Sequence, residues 1–345
     1  MHKTLKAMAA LLLSGACAGP GLAADVPQDL ALYQGADRHE RLVEAAKKEG
    51  QLTVYHAYPK LTVAMDAFSK KYGIKVRGWR AGSEALLQRI VSEASGSRFD
   101  VDIVQNNSPE NEALYREKLS RKVWSPYFAD LRPEAVAAHQ QWVGVTMDVW
   151  TAAYNTEKIK KEDLPKSYED LLDPKWKGKL GIEAYNFAWF GTLLSKMGEE
   201  KGRKLFSDIV ARNGMSFRKG HSLLTSLVAS GEVPLALTVY SWNPEQLKRK
   251  NAPIEGLRLQ PVVAQFSTLA VLQKSPHPNA ALLFYDFMLS EEGQRIMADM
   301  DYVTVTDKIK TPFTGAELTI LDPAQALDHQ DEWMKTFEQV FGTMK

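Results

Sequence analysis

Residues 51–79 read QLTVYHAYPKLTVAMDAFSKKYGIKVRGW. Gln51 to His56 is rich in β-branched and aromatic residues and reads as a strand, running into a loop at Ala57, Tyr58 and Pro59. Leu61, Met65, Phe68 and Tyr72 then fall on one side of a helix that Gly73 ends, and Ile74 to Trp79 reads as a second strand. A strand, a helix and another strand at this spacing predict two parallel neighbours joined by a crossover.

The same alternation extends outward. Upstream, Asp37 to Glu49 reads as a helix with a capping box at Asp37 and Glu40 and a stop at Gly50. Downstream, Ser83 is expected to cap a helix carrying Leu86, Leu87, Ile90 and Val91. Phe99 to Val104 reads as a third strand, with Gln105 to Ser108 as the loop after it. Ligands on such sheets bind beyond the carboxyl ends of the strands. Three loops are therefore candidates: His56 to Pro59, Arg80 to Ser83 and Gln105 to Ser108.

A second unit follows. Val143 to Tyr154 reads as a long strand crossing between units near Met147. Beyond it come strands at Leu180–Glu183, Met215–Arg218 and Val233–Tyr240, with helices from about Ala188, at His221–Ser230 and at Pro244–Lys250. Gln265 to Leu272 is a strand returning to the first unit, followed by helices at Pro278–Leu289 and Glu291–Met300. From Thr311 the chain is polar and mixed, ending in an amphipathic helix around Trp333, Phe337 and Phe341.

The amino terminus reads as a secretory signal. Lys3 and Lys6 precede an apolar stretch from Ala7 to Ala18 that is too short to span a bilayer, and Gly21 and Ala23 supply small residues before a cut after Ala23. Cleavage would remove the single cysteine, Cys17, and with it any disulfide or thiolate chemistry. It would leave 41 basic residues against 42 acidic ones. Such a balance gives no field for gathering nucleic acid or an anionic membrane. About 320 residues remain, enough for two domains of ordinary size.

Catalytic motifs fail where they can be checked. His39 and Glu40 start like a zinc-protease helix, but Val43 stands where the second histidine belongs. Gly220, His221 and Ser222 start like a nucleophile elbow, but Leu224 stands where glycine must allow the turn. No phosphate loop and no dinucleotide fingerprint is present. The expectation is a binding protein, not an enzyme, with no catalytic residue and no cofactor. The loops instead carry aromatic and hydrogen-bonding groups suited to a small-molecule cleft: Tyr58, Arg80, Ser83, Asn107, Tyr185, Arg218, His221, Tyr240 and Trp242. Trp189 and Trp242 fit core packing as well as contact. Helix starts at Ser83 and His221 would favour an anionic group, and Arg218 offers a planar fork for one.

Several phrases carry a family resemblance: LTVY at 52–55, FDVDI at 99–103, AYNT at 153–156, LLDPKWKGKLG at 171–181, GEVPLAL at 231–237 and LSEEGQ at 289–294. In this order they resemble the class II periplasmic solute-binding proteins of ABC importers, in the branch of ferric-ion-binding proteins and their organic-ligand relatives. The match runs from Leu42 to Met300. The resemblance implies an α/β, two-lobed periplasmic-binding-protein fold, each lobe a mainly parallel sheet flanked by helices, joined by crossing hinge strands. The lobes are expected at 24–147 with 264–310, and at 148–263, with 311–345 as a C-terminal helical tail. It further implies a periplasmic monomer that hands a small ligand to inner-membrane permease subunits. Members that bind bare ferric ion use a histidine and a glutamate from the first lobe and two adjacent tyrosines from the second. Those positions fall near Pro59, near Asn107, and on Tyr240 and Ser241, so one ligand of four is retained. Proline, asparagine and serine do not supply the anionic oxygen that a hard cation wants. The expected ligand is a small polar organic solute with an anionic group. Ferric ion as transported ligand, held by His56, Tyr58 and Tyr240, is the alternative.

Overall fold

The computed structural model describes residues 29–342, so the signal peptide expected at 1–23 lies outside the described residues. The first part of the chain alternates as its periodicity predicts: α1 (Arg38–Glu49), β1 (Gln51–His56), α2 (Leu61–Tyr72), β2 (Lys75–Arg80), α3 (Ser83–Ser95), β3 (Ile103–Asn107) and α4 (Ser108–Arg116). The long strand β4 (Val143–Asn155) leads to β5 (Leu180–Glu183), α5 (Phe187–Met197), α6 (Glu199–Asn213), β6 (Ser216–Arg218) and α7 (His221–Ser230). Then come β7 (Leu235–Tyr240), α8 (Trp242–Lys248), β8 (Ile254–Leu257) and β9 (Val263–Val271). The chain closes with α9 (Pro278–Leu289), α10 (Glu291–Asp299), β10 (Val303–Thr304), β11 (Thr319–Ile320), α11 (Pro323–Asp328) and α12 (Gln330–Phe341).

The strands hydrogen-bond in the order β2-β1-β3-β9-β4-β7-β5-β6, with β10 and β8 on β4 and β11 on β9. Pairing is parallel at β2-β1-β3 and at β7-β5-β6, and antiparallel where β9 and β4 lie between these groups. Every residue of β4 and of β9 is buried. Val143 to Val149 of β4 pairs with β9, whereas Trp150 to Asn155 turns to β7 and β8. One strand thus serves two sheet segments, each with its own core. Phe68, Leu269, Phe284 and Met288 belong to the core under the first segment; Phe190, Phe206, Leu235 and Phe341 belong to that under the second.

Three local readings are corrected. Asp37 makes no capping bond, because its carboxylate instead accepts from the Tyr33 hydroxyl and from Arg41 Nε. Ser83 is the first helical residue; Gly82, in extended backbone, occupies the cap position without a side chain to offer. The third strand begins at Ile103 and includes Gln105 to Asn107, expected as a loop. These polar residues are strand because partners meet them indoors. Asn106 and Asn107 pair with Thr268 and Ser267 of β9, and Gln105 Nε2 donates to Ser267 Oγ at 2.6 Å. Asp102, fully buried before the strand, accepts from the Thr53 N–H at 2.7 Å and the Ser275 hydroxyl at 2.7 Å.

Candidate functional site

The strand ends of both segments meet around one buried carboxylate. Asp148 lies on β4 at 1 % exposure, opposite Gln265 of β9. The Tyr58 hydroxyl, from the loop after β1, donates to Asp148 Oδ1 at 3.0 Å and shares a 2.6 Å hydrogen bond with Thr146 Oγ1. From the other segment, Trp242 at the start of α8 donates its indole N–H to the same Oδ1 at 3.0 Å. The second oxygen, Oδ2, is buried without a partner. Burial is the main force on this group and pushes its pKa up to about 6, against the pull of its two donors.

Aromatic rings line the same place. Tyr302 stacks on Tyr58 with ring centres 4.4 Å apart, and Trp242 meets Tyr58 edge-on at 6.2 Å. Tyr240, at the end of β7, lies 4.1 Å from the His221 ring and 6.0 Å from Trp242 in a stacked arrangement. Its hydroxyl accepts from Gln265 Nε2 at 3.1 Å. His221 Nδ1 donates to the Thr238 carbonyl at 3.1 Å, which leaves Nε2 as the acceptor, and burial lowers its pKa. Desolvation raises the Tyr240 phenol well above its ordinary range, helped by the charges of Asp148, Glu183 and Glu110.

The first segment holds its loop firmly. Gln105 Oε1 accepts from the backbone N–H of Ala57 at 2.9 Å and of Tyr58 at 3.0 Å. His56, 2 % exposed, turns Nδ1 to the Tyr58 carbonyl at 2.9 Å, and desolvation lowers its pKa. Arg80 ends β2 opposite His56, its Nε donating to the Ala57 carbonyl at 3.3 Å. The Ser83 carbonyl accepts from Asn106 Nδ2 at 3.0 Å, tying the start of α3 to the end of β3. Asn107 caps α4 by position, without a side-chain bond.

Tyr58, Tyr240, Trp242 and His221 are therefore brought together, and Arg80, Ser83 and Asn107 stand on the first segment's rim. Two sequence candidates are occupied elsewhere. Arg218 pairs with Glu232 at 3.0 Å and donates to the Phe217 carbonyl at 2.9 Å. Tyr185 is half exposed, with Lys219 Nζ 5.1 Å from its ring centre. The start of α7 is also partly spent, since the Gly220 N–H already donates to Glu183 Oε1 at 2.9 Å. For the metal alternative, His56 Nδ1 and the Tyr58 hydroxyl are committed to internal partners. Among the described residues, no group of three or more His, Cys, Asp and Glu side chains could hold a metal ion.

Sequence reasoning missed Asp148, Gln265 and Tyr302. Asp148 left a signal: it is the one charge in the apolar run from Val143 to Tyr154. An acid amid a buried strand asks for partners.

A family model described as bacterial extracellular solute-binding protein matches residues 114–321. The chain is 27 % identical over 266 residues to an Fe(3+)-binding periplasmic protein of Serratia marcescens, covering 74 % of this chain and 78 % of that one. It is 22 % identical over 290 residues to a putative 2-aminoethylphosphonate-binding periplasmic protein of Salmonella typhimurium, covering 81 % and 82 %. Iron-bound HitA from Pseudomonas aeruginosa superposes with a TM-score of 0.72 at 27 % identity, over 84 % of this chain and 99 % of that one. The architecture is that of the periplasmic binding proteins, and these relatives are binding proteins, not enzymes.

Proposed function

Because the chain belongs to the bacterial extracellular solute-binding proteins, we propose that it captures a small polar organic solute between two lobes in the periplasm and delivers it, as a monomer, to the permease of an ABC-type importer. The lobes are 24–147 with 264–310, and 148–263. The observation that carries the reading is the convergence on Asp148: Tyr58 comes from one sheet segment and Trp242 from the other. Tyr58 and Trp242 are core residues at 3 % and 4 % exposure, and the partly exposed Tyr240 and His221 beside them supply the flat ring and oriented polar groups that small-molecule clefts use. An anionic end of the solute is best served on the first lobe. There Arg80 ends β2 three residues before α3 begins, its Nε donating to the Ala57 carbonyl at 3.3 Å, and the first backbone N–H groups of α3 have no capping side chain.

Ferric ion is the second reading, favoured by the relatives named for it. Against it stand the donors present: Tyr58 is hydrogen-bonded into the core and His56 is turned to a backbone carbonyl. One experiment separates the two. Melting shifts are measured across a panel of organic anions, amino acids and ferric salts; a ligand at 100 times its Kd adds about 2.7 kcal/mol. An organic solute is expected to give the shift. A red-brown iron-phenolate band in the wild-type protein, lost in Tyr240→Phe, overturns that reading and establishes iron.

A further inference from the structure

The turn that ends α10 carries a residue type its backbone does not favour. The Asp301 N–H donates to the Ala298 carbonyl at 2.9 Å and the Tyr302 N–H to the Met297 carbonyl at 3.2 Å. Such a turn closes a helix with one residue in the left-handed region, a place that glycine usually fills. Here it is Asp301, at φ +72°. A side chain kept there against the steric preference points to a use for it.

That use is a contact with the second sheet segment. Arg249, just past the end of α8, donates to Asp301 Oδ1 from Nη2 at 2.6 Å and from Nε at 3.1 Å. One turn earlier, Gln246 Nε2 donates to the Met300 carbonyl at 2.9 Å. At the start of α8, the Trp242 ring lies 5.1 Å from that of Tyr302, centre to centre, and its indole N–H reaches Asp148. Trp242, Gln246 and Arg249 share one helical face by their spacing.

Each side of this contact is anchored in a different segment. Tyr302 leads into β10, which pairs with β4 at Met147 and Thr146, the part of β4 that lies on β9. α8 follows β7 closely and is fixed to β8 by Lys248 and Glu255 at 2.9 Å. The contact therefore bypasses the crossing strands. It lies on their cleft side, because Trp242 meets both Tyr240 and Tyr58, at 6.0 and 6.2 Å between ring centres, and these mark strand ends of the two segments. Lobes that part at the cleft must pull α8 off the Met300–Tyr302 turn.

We propose that the face formed by Trp242, Gln246 and Arg249 is a latch, which holds the two lobes together at the Met300–Tyr302 turn and is broken at the Arg249–Asp301 pair when the cleft opens. This rests on the two-lobe reading above. Since α8 starts two residues after Tyr240, the latch also sets where Tyr240 stands relative to the first lobe.

The test measures the gap between the lobes. Cys17 is the single cysteine and lies in the segment expected to be cleaved. Spin labels can therefore be placed at Val63→Cys on α2 and Leu223→Cys on α7, both half exposed and both in the first turn of a helix that follows a strand end. Distance distributions are recorded for this labelled background and, within it, for Arg249→Gln, Asp301→Asn, Asp301→Gly, and Arg249→Gln with Asp301→Asn. Asparagine and glycine both accept the left-handed backbone, so the turn is kept while the pair is lost. Each single variant is expected to raise the long-distance share about threefold, a size that losing an exposed ion pair allows. The double variant should match the singles, and about 1 M salt should act on the background in the same way. A change in the Asp301 variants without one in Arg249→Gln overturns the latch, since it comes from the turn alone. Distributions that superimpose on the background in every variant also overturn it. In that case, shortening of the background distance by the tightest binder of the melting panel leaves the two-lobe reading standing, and no shortening overturns both.

Discussion

At the scale of single residues, Asp148 is the most consequential group. Its folded pKa of about 6 lies above the ordinary carboxylate value of 3.8. Between those values the folded chain holds a proton that the unfolded chain has released. The contribution of this group to stability is therefore full below about pH 4 and is lost as pH rises through about 6. A shift of about two units corresponds to up to about 3 kcal/mol. Asp148→Asn keeps an oxygen for Tyr58 and Trp242 but removes the titration. Urea unfolding without ligand should show the variant gaining on the wild type by up to about 3 kcal/mol between pH 4 and pH 7. A difference between the two proteins that does not change with pH would refute this account. Other residues were legible because their role is local: Tyr240 ends a strand, and strand ends open on the cleft. Gln265 was not, because its importance comes from the Tyr240 hydroxyl it holds on another strand, 25 positions earlier in the chain.

At the scale of elements, the strong periodicities decided well. The bounds of α2, β5, α7 and α9 follow from apolar spacing and flanking glycine or proline. Strands built on polar residues were hidden, and β3 is the clear case. The sequence read its Asn106 and Asn107 as a loop because nothing local announces the hydrogen-bonding partners on β9. Helix α6 was missed altogether, since Gly198 separates it from α5 and its apolar face, Leu205, Phe206 and Ile209, is short. The amphipathic helix expected around Trp333 is α12, and its destination could not be read from its own pattern. It lies on α5 and α6, where Phe341 packs 4.9 Å from Phe190 and 5.8 Å from Phe206, ring centre to ring centre. Gly191 makes room for it, because a Cβ there would come within 2.2 Å of the Trp333 ring. Phe341→Ala should therefore behave as a core truncation, costing about 3–5 kcal/mol. Hydrogen exchange should show α12 and the facing side of α5 losing protection together. A loss confined to the last turn of α12 would mean the helix is only an appendage.

At the scale of the whole molecule, the two cores share very little chain. β4 changes partners after Val149, and β9 runs beside it, so a small number of buried strand residues carries the connection. The proposed site stands on this crossing, with Tyr58 anchored by Gln105 on one side and Tyr240 anchored by Gln265 on the other. The C-terminal segment spans the same division. Arg116 of α4 pairs with Asp328 of α11 at 2.6 Å, while α12 is buried against the second core. Hinges of this kind concentrate the φ and ψ changes in a few residues, and a solute that touches both walls stabilises the closed arrangement by its differential affinity. Small-angle scattering on the ligand-free protein and on the protein saturated with the tightest binder from the melting panel should show a smaller radius of gyration in the complex. The exposed Arg116–Asp328 pair is worth at most about 1 kcal/mol, so Asp328→Ala should leave that compaction in place. An unchanged radius with bound ligand would mean that β4 and β9 hold the two segments as one rigid body and that the solute enters without closure.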